Sequence, residues 1–143
     1  MKRRHPLSGA EIEQKRVQIE AHIAAYDILN VPVRITDENG VILYANTADQ
    51  QVTGYSMAEM LGQTAGDLWG GNEPPEFYRE LWTTIKDHKR PYHGVVHNRY
   101  RDGRDITQVM YIAPIVDQLN DARFFVAVQV NWPDGTASES TSQ

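Results

Sequence analysis

Not one of the 143 residues is a cysteine. That absence removes disulfides, thiolate nucleophiles, zinc–thiolate centres and iron–sulfur clusters together. Long apolar runs are missing too. No stretch approaches the roughly 20 apolar residues that a membrane-spanning helix needs. The basic start, MKRR, has no apolar run behind it, so it reads as neither signal peptide nor membrane anchor. Positive charge is not in excess: 14 Lys and Arg against 19 Asp and Glu leave a net charge of −5. A surface for nucleic acid would need the opposite balance. Gly70-Gly71 before Asn72 marks a flexible loop, but no lysine follows in the pattern of a phosphate loop, so nucleotide hydrolysis has no support. The expectation is a cytoplasmic, non-enzymatic chain that touches neither membrane nor nucleic acid directly.

What is present suits one globular domain. The chain is 41% hydrophobic and 23% charged, and its length allows one real core rather than two. Residues 1–10 read as a disordered N-terminus and 133–143, PDGTASESTSQ, as a disordered tail. Residues 11–30 read as an amphipathic helix. Ile12, Ile19, Ile23 and Tyr26 share one face, and Pro32 ends the segment. The stripe either pairs with its twin or folds back over its own sheet. Pairing is the reading favoured here, because Glu13, Lys15 and Arg16 keep the remainder soluble.

The domain proper is residues 31–132. Val33 and Ile35 alternate with Arg34 and Thr36 as in a half-buried strand, and Asn39-Gly40 is a strong hairpin signal. Asp37 and Glu38 stand at the mouth of that turn, where polar side chains belong, rather than forming a catalytic pair. Asn46 is placed to cap a helix TADQQVT that Gly54 closes. Ser56 and Glu59 have capping-box spacing. QTAGDLWGGNEPP reads as irregular, and Pro74-Pro75 opens a longer helix, EFYRELWTTIKDH, with a wide apolar face. HGVVHNRY, ITQVMYIAPIV and ARFFVAVQV read as three strands. Strands at both ends with helices between imply an α+β fold with an antiparallel sheet.

ITDENGVILYAN followed by TADQQVTGYSMAEMLGQ resembles the opening of a PAS domain of the bacterial sensory-box type. FYRELWTTIKDHKRPYHG resembles its central helix, and NRYRDGRDITQVMYIAPIVD with FFVAVQVN resembles its last three strands. The resemblance covers about residues 31–131. It implies a five-stranded antiparallel sheet in spatial order 2-1-5-4-3, with helices on one face and a pocket between sheet and central helix. It also implies a sensory, signal-transducing role: binding a small ligand or cofactor, dimerising, or both, to regulate an effector domain or a partner signalling protein. A ligand-free interaction module is the alternative, expected if large side chains fill the core.

Flavin is the cofactor that the resemblance raises most directly, as FAD or FMN. The position of the reactive cysteine of light-sensing LOV-type PAS domains falls on Ala65, which excludes a cysteinyl adduct and leaves an FAD redox sensor as the flavin version. Asn98, Gln108 and Gln129 align with amides that hydrogen-bond the flavin ring. Trp69, Phe77, Trp82 and Phe125 would wall the pocket, and small Ala127 would leave room for a flat ring. Haem would need an axial histidine. His88 is the candidate by position, but Lys86, Lys89 and Arg90 around it suit a solvated helix end. No metal site is expected: His93 and His97 lie in a strand, where four residues span about 13 Å.

Overall fold

The computed structural model describes residues 6–132. The residues expected to be disordered at 1–5 and 133–143 lie outside the described residues. Two short helices, α1 (Gly9–Gln18) and α2 (Glu20–Tyr26), precede strands β1 (Val33–Asp37) and β2 (Ile42–Ala45). Helices α3 (Thr47–Thr53), α4 (Met57–Met60), α5 (Ala65–Leu68) and α6 (Pro75–Trp82) follow. A π-helical turn, Thr83–Asp87, extends α6. Strands β3 (Tyr92–Arg99), β4 (Asp105–Val116) and β5 (Ala122–Asn131) complete the chain. The sheet is five-stranded and antiparallel throughout, in order β2-β1-β5-β4-β3.

The sheet separates two packed layers. Its inner face carries Ile112, Phe125 and Ala127 against Leu81 and Ile85. Its outer face carries Ile35, Leu43, Tyr44 and Phe124, covered by α1 and α2 through Ile19, with Ile12, Ile23 and Tyr26 beside it. A register shift between Ile35 and Thr36 places Leu43 and Tyr44 together in the outer cluster, while Ile42 and Ala45 pack with Met60 and Trp69. Such a bulge is how one strand supplies two neighbouring side chains to one layer.

The N-terminal helix differs from expectation in two ways. It is two helices rather than one over 11–30, broken at Ile19, where φ is −115° and ψ 19°. It also starts earlier, because Ser8 and Glu11 form a capping box. The stripe assigned to a dimer seam lies on the chain's own sheet instead. Ile19 is 1% exposed, and burying such a side chain stabilises the fold by about 2 kcal/mol.

The β1–β2 turn confirms the structural reading of its acids. The Asp37 carboxylate accepts from the backbone N–H groups of Asn39 at 2.9 Å and Val41 at 3.0 Å. Lys15 of α1 donates to it at 3.2 Å. Of the turn residues only Gly40 takes a positive φ, 79°. Between α4 and α6 the segment expected to be irregular contains α5, opened by a third capping box, Thr64 with Asp67.

The Asn46 side chain bonds to several segments at once. Its Oδ1 accepts from Asp49 N, capping α3, and from Val33 N, each at 3.0 Å. Its Nδ2 donates to the carbonyls of Tyr26 at 3.1 Å and Val31 at 2.9 Å. One buried amide therefore fixes α2, the linker, β1 and α3 together. Asn46→Ala is expected to lose about 3 kcal/mol, combining a lost cap with unmade buried bonds. Asn46→Asp keeps the cap acceptor but loses the donor, so it recovers only part of the loss. Urea denaturation of the three proteins measures both steps.

Candidate functional site

Alternation along the strands decides which side chains enter the interior. β1 sends Arg34 and Thr36 inward, opposite Ala127 and Phe125 of β5. β5 also contributes Gln129, which pairs with Met110 of β4. Gln108 lies opposite Val96 on β3, and Asn98 is the next inward residue on that strand. Asn98, Gln108 and Gln129 are all buried.

These polar groups form two networks. In the first, Arg34 makes a two-pronged ion pair with Asp49 of α3: Nε to Oδ2 and Nη2 to Oδ1, both 3.2 Å. Arg34 is 4% exposed and Asp49 0%. Arg34 Nη2 also donates to Gln129 Oε1. The guanidinium carbon lies 4.7 Å from the centre of the Trp69 ring, over its face. The cation is thus compensated by charge, by an amide oxygen and by a π face.

In the second network Gln108 is the hub. Its Oε1 accepts from Asn98 Nδ2 at 3.0 Å and from the Tyr100 hydroxyl. Its Nε2 donates to Asn131 Oδ1 at 3.1 Å. Burial pushes the Tyr100 phenol above the ordinary tyrosine value of 10.0, with the positive charge of Arg34 opposing. Burial likewise raises Tyr44, whose hydroxyl donates to Asp27 at 2.7 Å.

The rest of the interior is apolar and filled. Trp82 meets Phe125 edge-on at 5.7 Å between ring centres. Phe77 meets Tyr92 in the same manner at 5.8 Å. A Cβ on Gly94 would come within 2.8 Å of Phe77, so the glycine permits that aromatic to close down on β3. Ala127 is 4% exposed and packs with Leu81, Ile85, Ile112 and Phe125. Thr36 is buried with its hydroxyl unpartnered, the one such side-chain atom among the described residues.

The glycine-containing loop after α5 closes over the edge of β3. Trp69 O accepts from Arg99 N at 3.0 Å. Asn72 Nδ2 donates to His97 O at 2.8 Å, and the Glu73 carboxylate accepts from His97 N at 2.6 Å. His93 stacks on Tyr111. His88 caps the π-helical turn and is exposed, away from the inner face. Among the described residues no three His, Asp or Glu side chains are placed to hold a metal.

The predicted residues therefore fall into three groups. Asn98 and Gln108 touch each other. Gln129 and Trp69 meet at Arg34. Phe77, Trp82, Phe125 and Ala127 belong to the apolar sector. Sequence reasoning missed Arg34, Asp49, Tyr100 and Asn131. Strict alternation in VRITD was the available signal, since a strand covered on both faces buries its polar positions too.

The chain belongs to the PAS family: the PAS fold model matches residues 13–129. It is 32% identical over 100 residues to a nitrogen fixation regulatory protein of Klebsiella oxytoca, covering 70% of this chain and 20% of that protein. It is 27% identical over 97 residues to blue-light-activated histidine kinase 2 of Erythrobacter litoralis, covering 68% and 28%. The chain thus spans between a fifth and a third of these relatives' lengths. Among solved structures it resembles a Rhodobacter sphaeroides LOV protein, with TM-score 0.73 at 19% identity over 87% of this chain and 73% of that one. It also resembles the LOV domain of an Erythrobacter litoralis blue-light activated histidine kinase, with TM-score 0.63 at 26% identity over 72% and 96%. The fold and the relatives identify a signal-sensing, regulatory class of domain.

Flavin can be tested against the side chains themselves. A flavin ring needs free amide edges and a flat slot. Here Asn98, Gln108 and Gln129 are each bonded to a protein partner, and the space between Gln129 and Trp69 holds the Arg34 guanidinium. The residues present do not fit the group.

Arg34→Ala and Asp49→Ala should each cost about 3–5 kcal/mol, because each leaves a buried charge alone. The double variant should cost clearly less than the sum, and a denaturation cycle reads the difference. Tyr44 and Tyr100 titrate higher in the fold than in the unfolded chain. The stability they contribute is full below pH 10 and is lost as pH rises through their folded values. Alkaline spectrophotometric titration should show Tyr44 and Tyr100 ionising above the range of an exposed phenol, and Tyr100→Phe should remove one late-titrating group.

Proposed function

We propose that the chain is the signal-relaying PAS module of a regulatory system and works as a homodimer joined through the outer face of β3, β4 and β5. The observation that carries this reading is a cross-strand ladder that α1 and α2 leave uncovered. His93, Tyr111 and Val128 form one rung, and Val95, Val109 and Val130 the next. Tyr111 is 49% exposed and Val130 46%. A contiguous apolar sheet face of this kind marks an interaction surface. The ladder is self-complementary in character, which suits a second copy related by a two-fold axis.

The geometry also supplies a route for a signal. Gln129 bonds Arg34 inside, while its neighbours Val128 and Val130 stand on the outer face. A change in the interior network is one residue away from the dimer surface. A population shift between two arrangements of β5 would carry it to an attached effector domain or a partner signalling protein. In this reading the module catalyses nothing itself, lies in the cytoplasm and makes no direct contact with nucleic acid, which the net charge of −5 supports. The filled inner face, with Trp82 on Phe125, favours the ligand-free form, an interaction module, over one holding a small molecule.

Sedimentation equilibrium tests the dimer. The wild-type chain is expected to dimerise. Tyr111→Glu and Val130→Asp, both on exposed side chains, should weaken association at least tenfold while leaving the far-ultraviolet circular dichroism unchanged. A monomeric wild type, or variants that dimerise equally well, would discard this interface.

A further inference from the structure

Strip the Arg34 side chain from the interior and what remains is a recognisable cradle. It has a carboxylate, Asp49, at 0% exposure, an amide oxygen from Gln129 at 3%, and an indole face from Trp69 at 3%. These three groups hold the guanidinium by a two-pronged ion pair, a hydrogen bond and a stacking contact. Each element has a recognition logic of its own. A carboxylate selects for positive charge, and its two oxygens select for two parallel N–H donors. An aromatic face favours a flat cation over a tetrahedral one only where the cation can lie against it, as a guanidinium does.

We propose that Arg34 is the built-in ligand of this PAS interior: it excludes an isoalloxazine ring, and the cradle it occupies is specific for a small planar cation. Exclusion follows from two costs acting together. A ring entering between Gln129 and Trp69 would displace the guanidinium, and it would leave the Asp49 carboxylate buried without its counter-charge. A flavin brings no positive charge to replace the one removed. A small planar cation of the guanidinium or amidinium class brings the charge, the paired donors and the flat face. Arg34 and Asp49 are thus the specificity-determining residues of the interior. Asp49 is held in position by the cap bond from its own N–H to Asn46.

Two measurements on the full chain test this. FMN and FAD are titrated into wild-type protein, followed by flavin fluorescence anisotropy. No saturable binding is expected, and stoichiometric uptake of either would overturn the proposal. Arg34→Ala is then melted with and without methylguanidinium chloride, with sodium chloride and methylammonium chloride at matched concentration as controls. Methylguanidinium should raise the melting midpoint of Arg34→Ala above both controls and should not raise that of the wild type. Equal effects of the three salts would refute the planar-cation cradle. Should Arg34→Ala not fold alone, recovery of its circular dichroism by methylguanidinium but not methylammonium is the same test. Failure of both cations then counts against the proposal. Either result is independent of whether the outer face dimerises.

Discussion

A single buried asparagine sets the geometry on which the interior depends. Asn46 holds the N–H of Asp49, and Asp49 holds Arg34. Arg34 in turn holds Gln129 on a strand more than ninety residues away in sequence. The same side chain grips Val33 and the carbonyls of the α2–β1 linker. A local rule of helix capping is thereby extended into a long-range constraint. The cap positions the carboxylate, the carboxylate positions the cation, and the cation ties the first strand's side chain to the last strand. Buried polar chains of this kind are costly when incomplete, so each bond makes the next one obligatory.

Much of the architecture was legible in the residues. Asn39-Gly40, the Ser56–Glu59 capping box, Gly54 as a left-handed terminus and Pro75 at the start of α6 are local signals, and the structure uses each as read. Where reading failed, the cause was tertiary. The helix over 11–30 breaks at Ile19, a residue buried against the sheet, which no periodicity reveals. α5 is four residues long, too short to carry a pattern. Arg34 and Thr36 looked like the solvent face of β1 because polar residues at alternate positions usually mean one covered face; β1 is covered on both. The amides were located correctly on inward positions, but nothing in a sequence says that their partners come from within the chain.

That contrast separates fold from site. At 19% identity the backbone still follows a LOV protein closely, with TM-score 0.73. The strand order and helix placement tolerate wide substitution as long as apolar positions keep their period. The interior chemistry does not share that tolerance, since exchanging one side chain for a charged one obliges a second to answer it. A shared fold therefore constrains where a site can be, and the paired residues decide what the site accepts.

The open sheet has two lateral margins, and the chain treats both of them. On one, Val41 bridges Thr64, and Ile42 N donates to Gln63 O at 2.7 Å. On the other, the loop carrying Trp69, Asn72 and Glu73 takes up the outward N–H and C=O of His97 and the N–H of Arg99. Glu73 does with a carboxylate what a neighbouring strand would do with a carbonyl. The result is a barrier to strand-by-strand growth: a second sheet cannot zip onto β3 along its C-terminal half. Along that half the edge offers no free ladder to an incoming strand, which protects the sheet against fibril-like growth there.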